Sequence, residues 1–97
     1  MNEQRRVRWH VIFSGRVQHV GFRYTAYYMA RELGLTGWVD NLADGRGEME
    51  LQGPPSLLRR FLLRMKNQSH IRIEDYRIER LPCRLLERRF SVRSGRD

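Results

Sequence analysis

The sequence predicts an α+β fold, an antiparallel sheet with two helices on one face in the order β-α-β-β-α-β, followed by a short fifth strand. Three observations predict it. Apolar residues alternate with polar ones in Val7–Phe13 and again in Gly47–Leu51. They recur at helical spacing in Phe22–Leu33 and in Leu57–Met65. Glycine or proline stands where one period gives way to the next.

Each element has its own warrant. Val7, Trp9, Val11 and Phe13 alternate with Arg8, His10, Ile12 and Ser14, a strand with one face in a core, and Gly15 is expected to end it. Phe22, Ala26, Met29, Ala30 and Leu33 form the stripe of a first helix that Gly34 stops. Leu35–Leu42 reads as extended, and Ala43-Asp44-Gly45 turns the chain into the strand of Gly47, Met49 and Leu51, making a hairpin. Gly53-Pro54-Pro55 breaks that strand and opens a second helix, since proline is tolerated in a first turn, with Leu57, Leu58, Phe61, Leu62 and Met65 as its stripe. Ile71–Leu81 is a fourth strand closed by Pro82, and Phe90 and Val92 mark the fifth before a polar tail, Arg93–Asp97. Helices gathered on one face of such a sheet give the ferredoxin-like sandwich. One domain over residues 1–97 is expected, with polar ends at about 1–6 and 94–97. Many functions share this fold, so function has to be argued from the site.

Composition narrows the class. The 40% hydrophobic content suits a folded domain, and no apolar run approaches the ~20 residues of a membrane span. The polar start, Met1–Arg6, shows no signal peptide, and the single Cys83 forms no internal disulfide, so a cytoplasmic protein is expected. His10, His19, His70 and Cys83 lack paired metal-ligand spacing. A formal charge of +8, with every basic residue but Lys66 an arginine, attracts anions of any kind.

The chemistry concentrates in Ser14–Arg23. Gly15 and Gly21 bracket a loop without an acidic residue, and glycine lets successive backbone N–H groups turn inward as a nest. The loop runs into a helix N-terminus, where unpaired amides and the dipole favour an anion. Arg23 in the first turn adds a planar fork that meets two phosphate oxygens at once. The candidate cradle is Gly15, Arg16, Val17, Gln18, His19, Val20, Gly21, Phe22 and Arg23. It is no Walker loop, because Val20 stands where the second glycine belongs.

Gly15-x-Val17-Gln18-x-Val20-x-Phe22-Arg23, followed by Gly34-Leu35-x-Gly37-Trp38-Val39-x-Asn41, resembles the paired motifs of the acylphosphatase family. The resemblance runs from about Trp9 to Pro54 and stays consistent in strand order to Val92. It implies a small hydrolase of acyl phosphates with no metal or cofactor, in which Arg23 binds phosphate, Asn41 orients water, and the amides of Gln18–Arg23 line the anion. It also implies a small-molecule acyl phosphate substrate, with inorganic phosphate or other anions in the site. From the lack of a long apolar run no membrane partner is expected, and a monomer is expected. One departure stands out: the family usually has glycine where this chain has His19.

Other readings are weaker. Asn41 also suits the start of a turn. Tyr24, Tyr27 and Tyr28 suggest stacking on an acyl group but read more simply as helix-surface residues, and Trp9 and Trp38 as core. An RNA-binding module of the same strand order needs aromatics on its third strand, where this chain offers Glu48 and Glu50. No specific nucleic acid is expected. A phosphate-binding domain within a larger assembly is the remaining alternative.

Overall fold

The structure, a computed structural model, describes residues 5–94; the ends at 1–4 and 95–97, which include most of the expected polar termini, lie outside it. The elements are β1 (Val7–Arg16), α1 (Phe22–Leu33), β2 (Thr36–Asn41), β3 (Gly47–Gly53), α2 (Pro55–Lys66), β4 (Arg72–Leu81) and β5 (Phe90–Val92). They build one sheet in the order β4-β1-β3-β2-β5. This is the ferredoxin-like arrangement with its added fifth strand.

The first four strands pair antiparallel, but β5 runs parallel to β2. The physical reason is a single reversal. β4 runs opposite to β2, the segment 82–89 turns the chain once, and β5 therefore arrives at the far edge alongside β2 in the same direction.

The core lies between one sheet face and the two helices. Val7, Val11, Phe13, Val39, Met49 and Leu51 from the sheet meet Phe22, Ala26, Met29 and Ala30 of α1 and Leu58, Phe61, Leu62 and Met65 of α2. α1 ends as the sequence predicts. Gly34 adopts a left-handed φ of 72°, and the N–H of Leu35 reaches back to the Ala30 carbonyl at 2.9 Å, closing the last turn.

Gly15 does not end β1. The strand continues to Arg16 through a bulge that leaves Glu74 of β4 without a partner between the pairs Ser14–Asp75 and Gly15–Ile73. Gly15 takes φ 129°, and a Cβ there would fall 2.1 Å from the Arg72 carbonyl oxygen. The glycine serves close approach of two strands.

The second sheet face also differs from a solvated surface. Arg8 is 1% exposed. Its Nε donates to Glu50 at 2.8 Å, its Nη1 to Gln52 at 2.9 Å and to Glu87 at 2.8 Å, and its Nη2 to Glu87 at 3.2 Å. Glu48 pairs with His10 at 2.8 Å, so each of the two β3 carboxylates is half-buried against a side-chain partner rather than free in solvent. Trp38 is buried on this face opposite Glu50, under the Arg93 guanidinium 4.0 Å from its ring centroid, and not in the helix-side core. Trp9 does face the helices, at the half-buried margin of the core.

Candidate active site

β1, the start of α1 and the end of β2 converge at one pole of the sheet. In register Asn41 lies opposite Gly47, and Gly47 lies opposite Phe13, so Asn41 shares the helix-side face. Gly47 has no room for a Cβ, which would sit 2.5 Å from the Phe22 ring. That contact seats the first turn of α1 directly over β3 and brings Arg23 to the level of Asn41.

The result is a cavity of about 410 Å³ lined by Gln18, His19, Gly21, Phe22, Arg23 and Tyr24 on the loop and helix side. Asp40, Asn41, Leu42 and Ala43 from β2 and its turn line the other, together with Ser94. Its size suits a small ligand. Gly21, the N-cap of α1, is left-handed at φ 78° and offers no side-chain cap, and the first turn holds no acidic residue. The first amides of the helix therefore have neither an intrahelical acceptor nor a carboxylate to satisfy them.

Arg23 and Asn41 are each half-buried and held by one main-chain carbonyl. Arg23 Nη1 donates to the carbonyl of Arg93, which follows β5, and the Arg93 N–H bonds the Val39 carbonyl at 2.9 Å. Asn41 Nδ2 points to the Val17 carbonyl at 3.5 Å, and its own N–H is held by Asp40 Oδ1 at 2.8 Å. This leaves one guanidinium edge of Arg23 and the Oδ1 of Asn41 without a partner among the described residues. The facing turn is also tied. Leu42 N–H bonds the Arg46 carbonyl at 2.7 Å, and the Arg46 main-chain N–H, with its side chain, holds the exposed Asp44 carboxyl below its ordinary pKa.

Not every residue of the expected cradle reaches this cavity. Gly15 and Arg16 are paired in β1, and Val17 is buried with its carbonyl turned to Asn41. Val20 faces a separate hollow with Arg16, His70 and Arg72. Asp40, Arg93 and Ser94 were not expected. No sequence pattern marks Arg93 or Ser94, because only the parallel docking of β5 carries them here. Tyr24 lines the cavity while Tyr27 packs against Tyr28, so the tyrosines do not act as one group. Among the described residues no three of His, Cys, Asp or Glu come together as a metal-binding group.

A family model described as Acylphosphatase matches residues 9–92. The chain belongs to the acylphosphatase family. An acylphosphatase of Geobacillus thermodenitrificans is 40% identical over 91% of this chain and 95% of its own. One from Marinobacter nauticus is 54% identical, but over 54% of this chain and 56% of that protein, so this match spans little more than half of the relative. The crystal structure of the Bacillus subtilis acylphosphatase superimposes with a TM-score of 0.82 at 34% identity, covering 89% of this chain and 97% of that one.

Within this acylphosphatase-family loop, His19 adopts the left-handed conformation, φ 64°. The imidazole is exposed and the cavity it lines stays open. Histidine visits this region at a cost of roughly 1–2 kcal/mol, while glycine loses about 0.5–1 kcal/mol more chain entropy on folding. His19→Gly is therefore expected to be neutral or stabilising by up to about 1 kcal/mol in thermal unfolding. A destabilisation instead would mean that the imidazole itself secures the loop.

Proposed function

We propose that this chain hydrolyses acyl phosphates to carboxylate and inorganic phosphate without a metal ion. The phosphoryl group lies against the free amides at the start of α1 and the open edge of Arg23, while Asn41 positions the attacking water. The observation that supports this most directly is that Arg23 and Asn41 open onto one cavity at an uncapped helix end.

The chemistry asks little of the protein. Water attacks phosphorus, the P–O bond to the acyl group breaks, and the leaving carboxylate, whose conjugate acid has a pKa near ~4, departs without protonation. Charge in the loose transition state spreads over the phosphoryl oxygens, so fixed donors and correct placement supply most of the acceleration. Val17 orients the Asn41 amide and leaves Oδ1 to accept from water. Asp40, the nearest carboxylate, is engaged with the main chain of Asn41, which suits a proton transfer to the substrate's own phosphoryl oxygen.

Phosphate release from benzoyl phosphate is the test. Turnover is expected and should survive EDTA. Asn41→Ala should lower kcat by about 10²-fold, the order expected when a reactant is misplaced by an ångström. Inhibition by inorganic phosphate should stay within about twofold of the parent, because the anion's donors remain. No turnover by the parent would leave an anion-binding domain, and loss of phosphate affinity in Asn41→Ala would place the asparagine on the phosphate.

A further inference from the structure

At the pole opposite the cavity, the segment between β4 and β5 makes a turn that local propensity does not favour. The Glu87 N–H bonds the Arg84 carbonyl at 3.3 Å, which places Leu85 and Leu86 at the two central positions. Turns usually hold glycine, proline, asparagine, aspartate or serine there. These leucines are 91% and 84% exposed, more than any other large apolar side chain among the described residues.

The turn is anchored at both ends. Gln52 Oε1 accepts from the Arg84 N–H at 2.8 Å, and its Nε2 donates to the Arg84 carbonyl at 3.0 Å. Glu87 takes two bonds from the buried Arg8. The sheet thus presents the leucine pair on a fixed base.

Cations surround the pair. Arg84, Arg88 and Arg89 flank it in sequence, and Arg6 and Arg31 line the adjoining hollows together with Arg88. Three carboxylates in this part of the fold are already engaged, Glu87 and Glu50 by Arg8 and Glu32 by Arg64. Two exposed leucines ringed by guanidiniums that have no carboxylate partner among the described residues complement a surface that is apolar within and negative at its rim.

We propose that this turn docks the protein on an anionic lipid bilayer, with Leu85 and Leu86 entering the headgroup boundary and the arginines meeting the phosphates. A protein groove fits less well, because leucine is under-represented at interface hot spots but favourable in hydrocarbon. No helix of the described residues is long and apolar enough to cross a membrane, so the contact is peripheral. The 12 residues of α1 lie between this pole and Gly21, about 18 Å of helix, so the cavity would stay open to water.

Co-sedimentation with vesicles tests this without substrate. The parent should bind mixed phosphatidylglycerol–phosphatidylcholine vesicles, weaken as salt is raised, and leave phosphatidylcholine alone in the supernatant. Arg88→Gln with Arg89→Gln should lower affinity about 25-fold, roughly fivefold for each charge. Leu85→Ser with Leu86→Ser should lower it about tenfold. Arg72→Gln with Arg77→Gln removes the same charge from β4 and should have a much smaller effect. Circular dichroism confirms that each variant is folded. The proposal is overturned by a parent that ignores anionic vesicles, by leucine variants that bind like the parent, or by β4 variants that lose as much as the Arg88 and Arg89 pair.

Discussion

Arg23→Ala is expected to lower kcat/KM for benzoyl phosphate by roughly 150- to 5,000-fold, about 3–5 kcal/mol of transition-state stabilisation. The guanidinium is fixed before substrate arrives, because Nη1 is held by the Arg93 carbonyl and that residue is itself tied to Val39. In the proposed reaction the free edge would meet two phosphoryl oxygens without reorganising, which is where a preorganised donor gains most. Removing it deletes the largest positive charge in the cavity and orphans the Arg93 carbonyl. Arg23→Lys should recover only part of the loss, since an ammonium cannot hold the carbonyl and chelate the phosphoryl group together. Phosphate inhibition should weaken in parallel, unlike in Asn41→Ala. A decrease below about tenfold in Arg23→Ala would remove the arginine from the proposed reaction.

The element order was legible because each change of period coincides with glycine or proline, as at Gly34 and Gly53-Pro54. The juxtaposition of Arg23 and Asn41 was not legible from spacing alone; the paired motifs suggested it, and the contact of Gly47 with Phe22 accounts for it physically. What escaped were features that depend on partners remote in sequence. Arg8 alternates like any solvated residue, and the partners that hold it in the fold, Glu50, Gln52 and Glu87, lie 42, 44 and 79 positions later. Gly15 looked like a terminator because a bulge cannot be told from an end without the opposing strand. β5 carried too short a pattern to reveal its direction, and with that direction went the contribution of Arg93 and Ser94 to the cavity.

The same remote contacts make Arg8 the most consequential side chain for stability. Arg8→Met keeps most of the volume but strands two carboxylates, Glu50 and Glu87, whose side chains are 13% and 17% exposed. Breaking a buried ion pair from one side costs about 3–5 kcal/mol, which in a domain of this size lowers Tm by very roughly 15–30 °C. The pH dependence fixes the cause. Burial alone would raise the Glu87 pKa, but the hydrogen bonds and charge of Arg8, joined by Thr36 and Arg84, outweigh it and hold the carboxyl below its ordinary value. A depressed folded-state pKa stabilises above the unfolded carboxylate pKa and is lost as pH falls through the folded one. The Arg8 shift is upward, so its contribution persists at every pH below the unfolded arginine value and adds no slope in the acid range. The parent should therefore lose stability as acid protonates Glu87. Arg8→Met, in which burial of Glu87 is opposed only by Thr36 and Arg84, should lose less, and the two unfolding curves should converge as pH drops below about 4. Urea unfolding at neutral and acid pH measures this gap. A gap that stays constant across that range would mean the loss comes from packing around the Arg8 stem and not from the stranded carboxylates.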